Sequence, residues 1–193
     1  MAFKDYFKTF QSLQVNEKLL LRQVRPESDL DAYFEIYADT DAFRYYGGGG
    51  KVLNRETVLR ILNNQIKEFT TARVYSWTIV DAKTDKALGR IFLSDFAYNN
   101  KVANIGYFLG RDSWGKGIAT ACAEAVAAFG FSQLALERIY TTVHPDNTPS
   151  WKVLEKNGFR REGHLRHCFE TAEGLTDCYM YAKLVWDESE QEA

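Results

Sequence analysis

The chain's 193 residues are 46% hydrophobic and 26% charged, and its 24 Lys and Arg nearly balance 26 Asp and Glu, for a formal net charge of −2. At roughly 100 to 200 residues per domain, this predicts one soluble domain over 1–193 and excludes two full-sized ones. Affinity for phosphate backbones rests on clustered Lys and Arg, so the near-neutral balance also counts against a nucleic-acid partner.

Met1 to Phe10 (MAFKDYFKTF) breaks its aromatics with Lys4, Asp5 and Lys8 and lacks the apolar run of a secretory signal. No stretch approaches the roughly 18 apolar residues of a membrane-spanning helix. Leu19 to Val24 reads as a buried first strand, closed by Arg25-Pro26. Ser28, with Asp31 three residues on, resembles a capping box, and Leu30, Tyr33, Phe34, Ile36 and Tyr37 follow at helical spacing. After Tyr45-Tyr46 the tetrad Gly47 to Gly50 predicts a flexible loop, and Asn54 caps a second helix with Val58, Ile61, Leu62, Ile66 and Phe69 on one face. The period then becomes that of strands: Tyr75 to Val80, Ala87 to Ser94 and Val102 to Leu109 predict an antiparallel meander. Helical spacing returns with Ile118, Cys122, Ala125, Val126 and Phe129, and Arg138 to Val143 is a strand reached across that helix, which implies a right-handed parallel unit. A short helix from Thr148 to Lys156 stopped by Gly158, a strand from Phe159 and a last strand from Thr176 to Trp186 complete an α/β domain with a mixed sheet. The acidic end from Trp186 to Ala193 reads as a solvated tail.

Cys122, Cys168 and Cys178 are odd in number and show no CxxC spacing, so neither a disulfide framework nor a zinc site is expected, and a reducing cytoplasm fits best. Three His without an HExxH pairing give no support to a metal site. The aromatic content of 15% fills a core or lines an apolar pocket or interface; composition does not separate these.

The stretch Tyr107 to Thr120 (YFLGRDSWGKGIAT) is a strand followed by a glycine-containing turn that opens a helix. Orphan N–H groups and the helix dipole make such a start attractive to an anion, and small residues at 115, 117 and 119 let it approach the backbone. A phosphate or pyrophosphate site is one reading; a turn that simply closes strand onto helix is the other. The GxGxxG dinucleotide fingerprint fails for want of a third glycine, and Gly47 to Lys51 (GGGGK) fails as a P-loop because Val52 follows.

A second segment, His144 to Phe159 (HPDNTPSWKVLEKNGF), joins the turn. Together they resemble the Gcn5-related N-acetyltransferases (GNAT): Gly117 and Ala119 match the family's Gln/Arg-x-x-Gly-x-Gly/Ala signature, with Trp114 in place of Gln or Arg, and Asn147-x-x-Ser150 leading to Asn157-Gly158-Phe159 matches its second block. Leu19 to Arg22, Asn104 to Tyr107, Trp114 to Gly117, Glu162 to Arg166 and Asp177 are most similar to the branch that acetylates N-terminal alanine and serine of ribosomal proteins. The likeness spans about 17–186 and is tight over about 104–166.

That resemblance implies a mostly antiparallel mixed sheet with a splayed central parallel pair, flanking helices, and acetyl-CoA as cosubstrate without a metal. It implies that the backbone of 106–109, including Phe108 and Leu109, meets the pantetheine arm, and that Trp114, Gly115, Lys116, Gly117, Ile118, Ala119 and Thr120 surround the pyrophosphate. It further assigns a pantetheine contact to Asn147, which as a helix N-cap has another reading, and proton donation to the departing thiolate to Ser150. Lys116, Lys152 and Lys156 are available to the phosphates, Lys156 foremost, with Arg111 a weaker candidate. Tyr45 and Tyr46 beside the glycine tetrad suit an acceptor-binding wall.

The base is where the chain departs from the family. Asn104 stands where many relatives carry Glu, and Phe169 where the similar branch uses a carboxylate, leaving Glu170 and His167 as candidate bases. A base is dispensable for one substrate class: an α-amine near pKa 7.7 to 8.0 is roughly a tenth to a third neutral at pH 7 to 7.5, whereas a Lys amine is neutral at about one part in a thousand. The expected function is therefore direct acetyl transfer to an N-terminal α-amine of a protein or peptide, by a monomer or homodimer. Acetylation of a small-molecule amine and a non-catalytic acyl-CoA-binding protein are the alternatives.

Overall fold

A computed structural model describes residues 3–45, 53–97, 101–171 and 174–187, and the fold is built from these. The tetrad Gly47 to Gly50, Tyr46, the Asn99-Asn100 turn and the acidic tail beyond residue 187 lie outside them. Twelve main elements follow in chain order: β1 (Leu13–Asn16), β2 (Leu19–Arg22), α1 (Pro26–Ala38), α2 (Arg55–Thr70), β3 (Tyr75–Asp81), β4 (Ala87–Ala97), β5 (Val102–Leu109), α3 (Ile118–Gln133), β6 (Arg138–Val143), α4 (Thr148–Lys156), β7 (Arg160–Thr171) and β8 (Gly174–Leu184). The strands form one sheet in the order β1-β2-β3-β4-β5-β6-β8-β7, parallel only at β5–β6. This is the mixed, mostly antiparallel sheet that the resemblance implies, and the meander and crossover unit stand where their periodicity puts them.

Three expectations change. The first strand is not Leu19 to Val24: β2 stops at Arg22 and is preceded by β1, which pairs with it. Helix α1 starts at Pro26, so Ser28 lies inside its first turn and is no N-cap. Pro carries its fixed φ at no hydrogen-bond cost there, while Asp29 accepts from the Arg25 N–H (2.8 Å) and from the Arg22 guanidinium (2.7 and 2.9 Å). Arg22 also donates to Asp85 in the β3–β4 turn (2.7 Å), so one buried side chain pins α1 to the sheet. Finally, Cys168 and Cys178 form a disulfide across the β7–β8 hairpin. Their spacing gives no hint of it; the hairpin register pairs Leu165 with Cys178, and a bulge between Leu165 and Phe169 brings Cys168 within reach.

α3 and α4 cover one sheet face and α1 and α2 the other, in two clusters that absorb most of the aromatic excess. On the first, Trp77 is fully buried, stacked on Tyr75 (4.4 Å) and edge-on to Phe129 (5.3 Å), with Phe7, Phe10 and Phe69 around them. Full burial of each such ring stabilises the fold by about 2 to 3 kcal/mol. On the second, Phe108 packs among Tyr33, Tyr37 and Phe43. Among the described residues no helix is long and apolar enough to cross a membrane, and no group of three or more His, Cys, Asp or Glu is placed to hold a metal.

Candidate active site

β5 and β6 share a ladder only from Val102–Arg138 to Asn104–Tyr140. Beyond it β5 stays with β4 through Leu109 and β6 with β8 through Val143, so the two strands part. The inner edge of Ile105–Leu109, with Phe108 and Leu109, is left without a ladder partner, and its backbone groups can pair with an extended ligand arm.

Just past β5 lies the glycine turn. Gly115 and Gly117 have φ of +70° and +75°, a region that strains any L side chain. Among the described residues, no atom beyond the chain neighbours lies within 4 Å of where a Cβ would stand at either position. Gly117 is the N-cap of the 16-residue α3 and brings no side-chain acceptor, so the N–H groups around Ile118, Ala119 and Thr120 open onto that space. Trp114 Nε1 donates to the Leu109 carbonyl (2.9 Å) and its half-exposed ring lies under the Arg111 guanidinium. The residue that replaces the signature Gln or Arg thus braces the turn against the end of β5. This open cradle of backbone donors fits a pyrophosphate.

α4 lines the other wall. The Asn147 carboxamide oxygen accepts from Ser150 N (3.4 Å), which is the capping geometry. Asn157 Nδ2 donates to Val153 O (2.8 Å) and across to Thr120 O (3.3 Å), tying the end of α4 to the start of α3. Tyr107 projects from β5 to α4: its hydroxyl donates to Ser150 O (3.0 Å) and lies 3.2 Å from Ser150 Oγ. Burial lifts the Tyr107 phenol well above its ordinary pKa, outweighing the opposing bond to Ser150, so it stays protonated. With that proton on the carbonyl, the Ser150 hydroxyl is the donor of the pair. Lys116 and Lys156 are exposed and have no acidic partner among the described residues, whereas Lys152 lies over Trp151 and Arg111 is held by Asp39 (2.5 and 2.7 Å).

On the opposite face three rings meet. Tyr45 stacks on His144 (centroids 4.6 Å, planes 22° apart), and Phe169 stands edge-on to His144 at 6.2 Å. His144 follows β6 directly, and Phe169 pairs with Thr176 on the strand that partners β6, so the group lies beside the gap. The sheet's alternation turns Glu170 away from Phe169, and Glu170 is exposed. His167 is exposed in the bulge at φ +49°, its N–H bonded to Asp177 (3.1 Å). Neither contacts Tyr107 or Ser150. The shallow groove lined by His164, Arg166, His167 and Asp177 belongs to the hairpin.

Tyr107, Asn157 and His144 lie around the gap with side-chain contacts that the motifs do not assign. Tyr107 is foreshadowed by its place opposite Phe108 in the β5 alternation, and Asn157 by its block; nothing local marks His144.

The family described as acetyltransferase (GNAT) domain matches residues 18–160. The uncharacterized N-acetyltransferase p20 of Bacillus licheniformis is 33% identical over 171 residues, 87% of this chain and 93% of that protein. The ribosomal-protein-serine acetyltransferase of Escherichia coli (strain K12) is 31% identical over 117 residues, 58% of this chain and 63% of that protein. The crystal structure of an acetyltransferase (GNAT family) from Bacillus anthracis superimposes with a TM-score of 0.80 at 27% identity, covering 92% of this chain and 99% of the other. With the splayed strand pair and the glycine cradle in place, the chain belongs to the GNAT family and is an acetyl-CoA-dependent N-acetyltransferase.

Proposed function

We propose that this enzyme acetylates the N-terminal α-amine of a protein or peptide, as one catalytic domain over 1–193. The observation that carries this reading is the make-up of the acceptor side among the described residues: Tyr45, His144, Phe169 and Asn104 adjoin the gap, and none of these four is a carboxylate. With no carboxylate among these four to take the proton, an amine already partly neutral near pH 7 is favoured over a Lys side chain. The likeness to a ribosomal-protein-serine acetyltransferase supports a protein acceptor.

Bound acetyl-CoA supplies the activated acetyl thioester. The chain supplies orientation and electrostatics. The free edge of Ile105–Leu109 pairs with the pantetheine arm, and one of its N–H groups donates to the thioester carbonyl, stabilising charge that develops there. N–H groups from Gly115 to Thr120 hold the pyrophosphate, with Lys116 and Lys156 beside it, and Asn147 adds a pantetheine contact. The Ser150 hydroxyl turns its proton from the Tyr107 oxygen to the departing sulfur, and the proton that the attacking amine sheds returns to Ser150 through water, while Tyr107 holds the Ser150 oxygen in place.

The test is isothermal titration with acetyl-CoA, paired with thiol release over peptides with free N-termini, Nα-blocked Lys peptides and small amines. The highest kcat/KM is expected for free N-termini, with small amines turned over more slowly. Turnover of blocked Lys peptides or small amines alone would overturn the α-amine reading.

A further inference from the structure

His144 is nearly buried, with 12% of its side chain exposed, and its ring is held from several directions. Tyr45 lies on one face; Phe169 stands edge-on; Tyr45 itself carries the Arg44 guanidinium at 4.8 Å. Nδ1 accepts from the backbone N–H of Asp146 (3.1 Å), with the exposed Asp146 carboxylate at 3.9 Å. A backbone N–H only donates, so Nδ1 carries no proton in the neutral ring and the ring proton is on Nε2. Nε2 bonds to no described residue. The molecule thus holds, beside the transfer gap and on the acceptor side, an oriented N–H donor in an aromatic bracket.

We propose that His144 is a specificity-determining residue that donates from Nε2 to the carbonyl oxygen adjoining the acceptor's amine-bearing carbon, and so selects α-amino amides over plain alkylamines. The proposal rests on the α-amine reading and adds the group that would enforce it. An α-amino amide offers that oxygen one carbon away from the amine; an alkylamine offers none. A donor held in place without a partner gains its bond only with the first class. The bracket restricts ring rotation, so the preference is geometric as well as chemical.

The test compares alaninamide with isopropylamine, which differ by the carboxamide, using the full-length enzyme. The variant-to-wild-type ratio of kcat/KM is taken for each acceptor, so that each amine's own basicity cancels. His144→Phe keeps a ring in the stack and lacks the donor: the alaninamide ratio should fall about tenfold, isopropylamine should stay within about twofold, and the KM for acetyl-CoA should not move. His144→Gln restores an amide N–H without the ring and should retain more alaninamide turnover than His144→Phe. Equal losses for both acceptors, or no loss for alaninamide, would overturn the assignment. So would His144→Gln losing as much as His144→Phe; this comparison also serves if one variant folds poorly. A wild-type enzyme that turns over isopropylamine and not alaninamide would instead overturn the α-amine reading itself.

Discussion

The groups that we propose meet acetyl-CoA are mainly backbone ones, the free edge of Ile105–Leu109 and the start of α3, which has no side-chain cap. On the α1–α2 face the groups that we propose meet the acceptor are side chains, Tyr45, His144 and Phe169, drawn from three distant segments. A backbone site restricts residue types where it stands, since a side chain at Gly115 or Gly117 would carry left-handed strain and fill the space the anion needs. A side-chain wall restricts nothing beyond itself and can be rebuilt for another amine while the sheet and cradle stay put. One cosubstrate and a variable acceptor follow from that division.

The comparison breaks most visibly at Gly117. At Gly117 an added Cβ meets no atom within 4 Å beyond the chain neighbours, so Gly117→Trp should cost the fold mainly the left-handed backbone strain, about 1 to 2 kcal/mol. Acetyl-CoA affinity should fall by more than about 100-fold, some 2.8 kcal/mol. Calorimetry, with circular dichroism as the control for folding, reads both; unchanged affinity would remove the pyrophosphate from this turn. Next in size is Ser150→Ala, expected to lower kcat about 100-fold with both KM values nearly constant, as loss of a positioned proton donor does. Tyr107→Phe should lower kcat by a smaller factor, because it leaves Ser150 present but no longer oriented.

The same division explains what the sequence discloses. The cofactor side is a local pattern: the glycine turn, the Asn147 and Ser150 spacing and the start of α3 are each contained in a few residues. Asn54 is legible for the same reason, since its side chain caps Thr57 N three residues on (2.8 Å). β1 is missed because its four residues alternate between half-buried and exposed, with no apolar run to mark them. The start of α1 is misread because Asp29, not Ser28, satisfies the leading N–H, while also serving Arg22 from another strand. His144 and the Cys168–Cys178 bridge depend on strand register and a bulge, which no window of sequence contains.

The bridge offers a way to perturb the acceptor side alone. It closes the hairpin beside Phe169, so replacing both cysteines with Ser should cost about 2 to 3 kcal/mol on the loop-entropy estimate. The KM for the amine should rise a few-fold while that for acetyl-CoA stays constant, which steady-state kinetics with and without reductant would show. Equal movement of both KM values would mean that the two faces are not separable at this hairpin.

The smallest effect concerns the contact that joins them. Asp39, which ends α1 on the acceptor side, accepts two bonds from Arg111, the residue that opens the turn leading to Trp114 and the glycine cradle. Arg111 is more than half exposed, so salt screens the pair and stability should barely respond to its loss. The Arg111 guanidinium holds the Asp39 carboxyl below its ordinary 3.8, and a carboxyl lowered in the folded state contributes stability that is complete above its unfolded value and lost as pH falls through the folded one. The tie is therefore intact from pH 6 to 8 and weakens only below about pH 4. Arg111→Ala should raise the KM for each substrate about twofold at low salt, and the difference from wild type should vanish near 1 M salt, where screening extends only about 3 Å. A change in one KM without the other would show that the pair serves one face instead of linking both.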